Sequence, residues 1–181
     1  MNIILPEKPR MITLSTTEDQ RNRAEILAKK IGKLKDSITG GESTIYGTIG
    51  EIVCFDYFNQ YREVVHENTY DYDLIVDGSK VDVKTKRTTE HPASHYLCSV
   101  ADYNTKQECD YYFFARALDD LSKVYLLGYL TKTEFYQKAF FARAGDIDPE
   151  DSTFKFTANC YNIKIEELNR FTRNPNFTKF S

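Results

Sequence analysis

Polar and apolar positions alternate most clearly on either side of Asp77-Gly78. The run Asp73-Leu-Ile-Val-Asp-Gly-Ser-Lys-Val-Asp-Val-Lys84 predicts a hairpin with a two-residue turn, because both turn positions tolerate positive φ. Counting outward pairs Val76 with Ser79, Ile75 with Lys80, Leu74 with Val81 and Asp73 with Asp82. Side chains alternate faces along a strand, so Asp73, Ile75, Lys80, Asp82 and Lys84 share one face. Tyr72, Leu74, Val76, Val81 and Val83 share the other, which reads as a core face. The same register sets Asp71 opposite Lys84, a competing ion pair.

A period near 3.6 marks the helices. Thr17 to about Asp36 reads as the first, with a Thr17/Gln20 capping box and a stripe of Ile26, Leu27, Ile31 and Leu34. Gly40-Gly41 breaks the chain before a second helix from Ser43, its N-cap, to Phe58. Ile45, Ile49, Ile52 and Val53 form the buried stripe of that helix. Glu51 lies at the margin of the stripe. Its helix neighbours at three and four residues are Gly47, Thr48, Cys54 and Phe55, so no local cation can pair with it. A carboxylate so placed points to a partner from elsewhere. Gly47 and Gly50 weaken the helix, which suits the close approach of another backbone.

Further along, Glu63–His66 predicts a short strand, Ser99–Lys106 a helix and Tyr111–Ala117 a central strand apolar on both faces. Lys123–Leu130 predicts another strand, and Thr131 with Glu134 opens a helix through about Ala142. In that helix Phe135, Tyr136, Ala139 and Phe140 suit packing against a sheet. Residues 145–151 read as an acidic loop, and 154–158 and 161–165 as edge strands. His91 and His95 stand at i, i+4, but the intervening Pro92 and the lack of a further nearby ligand place them in a loop rather than at zinc.

With 181 residues and 41% hydrophobic content, one domain with a substantial core is expected. Within it, 1–40 is a basic helical segment, 43–168 the core and 169–181 a polar tail. The net charge of −3 excludes a protein that coats nucleic acid and confines any such contact to local patches. Arg21, Arg23, Lys29, Lys30, Lys33 and Lys35 make the first helix basic, either as a solvated face or as a phosphate contact. Four irregularly spaced cysteines read as reduced thiols in a cytoplasmic setting. The opening residues are too short for a signal peptide, and no run reaches membrane-spanning length.

Asp73 opposite Asp82 is a like-charge pair that destabilises the hairpin unless something offsets it. Lys84, about 6.6 Å farther along the strand, is one candidate. A divalent cation gripped by both carboxylates is another, and a solvated polar face is the third.

Gly47-x-x-Gly50-Glu51, then Asp73, then Asp82-Val83-Lys84 resembles the PD-(D/E)xK nuclease superfamily. There a helix glutamate precedes a three-stranded meander bearing an aspartate and a (D/E)-x-K strand. Tyr72 stands where the name-giving proline would be. The likeness covers about residues 43–86. It implies an α/β fold with a restriction-endonuclease-like αβββαβ core, a central mixed sheet flanked by helices, and frequent homodimers. It further implies Mg²⁺, with Mn²⁺ as substitute, held by Asp73, Asp82 and the Val83 carbonyl, with Glu51 ligating directly or through water. Lys84 would orient or deprotonate the attacking water, giving 5′-phosphate and 3′-hydroxyl ends on duplex or branched DNA. Lys86 and Arg87, at the strand end, with Lys29 and Lys33 of the first helix, are the candidate phosphate contacts. A non-catalytic nucleic-acid- or protein-binding domain on the same scaffold, and a metal-free structural protein, are the competing classes.

Overall fold

A mixed six-stranded sheet runs through the middle of the protein with a separate core on each face. The computed structural model describes residues 11–32 and 44–171. In chain order these form Ile12–Ser15 (β1), Glu18–Ile31 (α1), Thr44–Asn59 (α2), Val64–His66 (β2), Leu74–Val76 (β3) and Ser79–Thr88 (β4). Next come Leu97–Ala101 (β5), a 3₁₀ turn at Asp102–Lys106, Tyr111–Leu118 (β6), Lys123–Thr131 (β7) and Lys132–Lys138 (α3). Phe140–Ala142 (β8), Ile147–Asp148 (β9), Asp151–Lys155 (β10) and Cys160–Lys164 (β11) follow. The large sheet has the order β1-β7-β6-β4-β3-β2, with β4 and β6 parallel and its other pairs antiparallel. The chain is thus an α/β protein.

The hairpin forms as its turn chemistry dictates. Asp77 and Gly78 both take positive φ, 47° and 81°, which matches the twist of the flanking strands. Leu74, Ile75 and Val76 pair with Val81, Lys80 and Ser79. Leu74, Val76, Val81 and Val83 enter the core beneath α2. Tyr72 does not join them: it packs with the opposite core, and Lys80 lies over its ring. The ladder changes at Asp73, whose N–H donates to Val81 O rather than to Asp82, so the alternation does not extend to residue 72. Asp71 likewise misses Lys84, and its carboxylate accepts from Glu108 N.

The central strand β6 serves both cores. Tyr111, Phe113, Ala115 and Ala117 face the helices, while Tyr112 and Phe114 face the other side. On the helix side α1 packs against α2 through Ala24, whose carbonyl accepts from Thr48 Oγ1. The Thr17/Gln20 box caps α1, but Ile26 is 67% exposed and not part of a buried stripe. Residues 33–36, Gly40-Gly41 and Ser43 lie outside the described residues.

On the opposite face the prediction of a helix over Ser99–Lys106 fails. That segment is the second half of β5 and a 3₁₀ turn, because β5 pairs along its length with β11, some sixty residues later. The crossover from β4 to its parallel neighbour β6 is therefore made by a strand and a 3₁₀ turn instead of an α-helix. Nor is β11 an edge strand: it is central in a three-stranded sheet, β5-β11-β8. The Thr131/Glu134 box opens α3, which stops at Lys138 because Phe140–Ala142 pairs with β11 and leaves Phe140 exposed. The acidic loop at 145–151 contains the start of the small β9–β10 hairpin. His91 and His95 lie in the connection between β4 and β5. Cys54, Cys98, Cys109 and Cys160 are free and buried. Among the described residues no helix is long and apolar enough to cross a membrane.

Gly50 brings α2 down onto β4. A Cβ there would meet Thr85 Oγ1 at 1.9 Å, whereas one at Gly47 meets nothing within 4 Å. Gly50→Ala is expected to cost about 1–3 kcal/mol by overpacking, less the gain in helix propensity, and to lower the Tm by several degrees. Thr85→Ala in the same chain removes the nearest atom and should recover part of the loss in a thermal double-mutant cycle.

Candidate active site

Asp73 stands where β3 ends and β4 continues. Lys80 O accepts from Asp110 N on the β6 side, and Val81 O accepts from Asp73 N on the β3 side. Backbone direction alternates along the strand, so the peptide groups of Val83 also face Asp73. Val83 N–H donates to Asp73 Oδ2 at 2.8 Å. By the same alternation the Val83 carbonyl is directed to that side of the strand. Burial pushes the Asp73 carboxyl well above its usual range, and repulsion from Asp82 and then Glu51 adds to it. The Val83 N–H and Lys84 offset only part of this.

Asp82 is buried, 3% exposed, on the opposite face from Val83. Its Oδ2 lies 2.6 Å from Lys84 Nζ. That oxygen nevertheless receives no well-aligned hydrogen bond, so the contact is ionic rather than directional. Burial works against the Lys84 ammonium, but the Asp82 carboxylate outweighs it and raises the lysine pKa. The amide of Gln107, itself buried, closes the group. Its Nε2 donates to Asp82 Oδ1 at 3.1 Å and to Tyr70 O at 2.6 Å, and its Oε1 accepts from Lys84 Nζ at 3.2 Å. Lys132 Nζ donates to the Gln107 carbonyl.

Glu51, 5% exposed, approaches from α2 on the other side of the sheet. The partner that its helix could not supply comes from β2 and the loop after it. His66 Nε2 contacts Glu51 Oε1, and Asn68 Nδ2 donates to both carboxylate oxygens at 2.7 and 3.0 Å. Asn68 reaches them from a left-handed backbone, φ 51°. The His66 ring also rests against Phe55.

Asp73 lies within electrostatic range of both Asp82 and Glu51, which come to it from opposite sides of the sheet. Each also has its own protein contact, and among the described residues no group of three or more His, Cys, Asp or Glu side chains is arranged to hold a metal ion. The donor set nonetheless fits a hard cation. It is composed of oxygens, one of which, Asp82 Oδ2, has the Lys84 ammonium beside it but no well-aligned donor, and the Asp73 carboxyl is raised first by burial and then by Asp82 and Glu51.

The candidate phosphate contacts divide. Lys86 shares the Lys84 face but is turned under β5, where Nζ donates to Ser99 Oγ at 2.8 Å. Arg87 is exposed at the strand end, 3.7 Å from Asp119, with Tyr46 beneath its guanidinium. Lys29 is exposed in the last turn of α1, and Lys33 lies outside the described residues. Sequence reasoning missed His66, Asn68 and Gln107. Only the unpartnered Glu51 hinted at the first two, and nothing local marks Gln107. No protein-family model matches the chain, and no curated protein matches it.

Proposed function

We propose that the chain is a metal-dependent phosphodiester hydrolase of the PD-(D/E)xK type, acting on DNA as an endonuclease and leaving 5′-phosphate and 3′-hydroxyl ends. The observation that supports this reading is the Asp82–Lys84 contact on β4, with Asp73 within electrostatic range of Asp82, Lys84 and Glu51. The αβββ portion, α2 through β4, and the parallel β6 beside β4 are compatible with the core of that superfamily. The helix before β6 is replaced by β5 and a 3₁₀ turn.

Asp73, Asp82 and the Val83 carbonyl would hold Mg²⁺ or Mn²⁺, with Glu51 ligating directly or through water. Such an ion supplies Lewis-acid polarisation of the phosphoryl group and lowers the pKa of water. Lys84, kept protonated by Asp82, would offset charge developing on phosphorus and orient the attacking water, or, after losing its proton to solvent, act as base. Gln107 fixes the lysine against the aspartate. His66 and Asn68 fix the direction of Glu51.

A second reading, a non-catalytic nucleic-acid- or protein-binding domain on this scaffold, is favoured by the closure of Glu51 onto His66 and Asn68 and of Asp82 onto Lys84 and Gln107. The deciding experiment is incubation with supercoiled plasmid, linear duplex, single strands and a four-way junction, in Mg²⁺ and in EDTA. Cleavage of at least one DNA only with Mg²⁺ supports the hydrolase. Binding without cleavage of any supports the second reading.

A further inference from the structure

Three cations act on Cys98, and two of them, Lys86 and Arg116, share the sheet face that carries Lys84. Lys86 and Arg116 are register partners across the parallel β4–β6 pair. The Lys86 ammonium donates to Ser99 Oγ, and Ser99 Oγ donates to Asn162 Oδ1 at 2.6 Å. Arg116 lies over the Tyr96 ring, its Nη2 donates to Leu97 O at 2.9 Å, and its buried Nε has no acceptor. Arg170 donates to Leu127 O, and its charge, like those of Lys86 and Arg116, acts on Cys98.

Among the described residues none of the three cations makes an ion pair. Asp148 is the carboxylate whose field reaches Lys86, and it is the weakest influence there. Glu90, in the neighbouring loop, accepts instead from the Tyr96 hydroxyl. Burial lowers the pKa of all three basic groups, that of Lys86 to about 8, with Arg116 adding to the effect on Lys86. Gathering half-buried like charges without a counter-charge is unfavourable. Neutral partners such as Ser99 Oγ and Leu97 O satisfy hydrogen bonds but leave the charge.

We infer that Lys86 and Arg116 form an anion site that takes a phosphate group. A planar guanidinium beside an ammonium suits a tetrahedral oxyanion. Lys86 follows Lys84 by two residues on the same face, about 6.6 Å along the strand. That step is comparable with the separation of neighbouring phosphates on a nucleic-acid strand. The assignment to a phosphate of bound DNA rests on the nuclease reading, whereas the anion site does not.

The test is thermal melting of the full chain with inorganic phosphate, at constant ionic strength set by chloride. The Tm should rise by several degrees with phosphate in the wild type and not in Lys86→Met or Arg116→Met. In phosphate-free buffer Lys86→Met should melt at or above the wild type, since it removes a half-buried cation that makes no ion pair. Arg116→Lys, which keeps the charge, should retain part of the response. No phosphate response in the wild type, or an equal one in Lys86→Met, which marks an adventitious ion only, overturns the site. A second arm measures anisotropy of a short labelled oligodeoxynucleotide in EDTA. Affinity at least tenfold weaker in Lys86→Met, with inorganic phosphate competing in the wild type, supports a DNA phosphate as occupant. Equal affinity in both proteins overturns that assignment. A wild type that responds to phosphate but cuts no DNA in Mg²⁺ supports the anion site and removes the nuclease reading alone.

Discussion

Lys84→Ala is expected to reduce Mg²⁺-dependent DNA cleavage by about 10²–10⁴-fold, the range for losing a positioned acid–base group. The loss should appear in kcat, because the ammonium acts on developing charge and on the attacking water. In EDTA the same variant should melt lower. It leaves Asp82 buried without its cation, and breaking a fully buried pair costs about 3–5 kcal/mol. Lys84 is 20% exposed at its side chain, which places the expected cost at the low end. Mg²⁺ should narrow the melting gap by supplying the missing charge. Lys84→Arg separates two roles, since a guanidinium keeps the charge but does not act as a base. Substantial activity in Lys84→Arg assigns electrostatics and orientation; inactivity assigns proton transfer. Equal cleavage by wild type and Lys84→Ala would remove the lysine from the mechanism.

Asp73→Asn is expected to abolish cleavage and yet stabilise the metal-free protein at neutral pH. The folded-state pKa of Asp73 is raised by burial, then Asp82, then Glu51. The stability this group contributes is therefore complete below its unfolded value of about 3.9 and is lost as pH rises through the folded value. Above that point the wild type carries an unfavourable buried charge that asparagine lacks. The amide oxygen can still accept from Val83 N–H, so the substitution preserves the local backbone contact. In EDTA the two Tm curves should converge in acid and separate as pH rises, with the variant higher by about 2–4 °C per kcal/mol. Saturating Mg²⁺ should reverse the order by stabilising the wild type. Parallel curves at every pH would mean that Asp73 bears no such burden.

Legibility in the sequence followed the range of the interactions. The Asp77-Gly78 turn and the pairing of Leu74 with Val81 depend on residues a few positions apart and were readable. So were both capping boxes, at Thr17 and Thr131. The strand β5 was not, because Cys98 and Val100 become core only when β11 pairs with them from far along the chain. Lys86 read as a phosphate contact at the strand end, since the sheet that covers it could not be foreseen. At the candidate site, the nearness of Lys84 to Asp82 was readable from spacing. The side chains that hold the site residues were partly so: the missing helix partner of Glu51 implied a distant one, but neither the left-handed Asn68 nor the buried Gln107 follows any periodic pattern.

The central claim is that Asp73, Asp82 and Glu51 share one divalent cation. Calorimetric titration of Mn²⁺ into the wild type and Asp82→Ala bears on it directly. A saturable exchange of heat in the wild type that is lost in the variant is the expected result. Identical isotherms, or no heat in either protein, would contradict a shared cation and leave these carboxylates as structural groups.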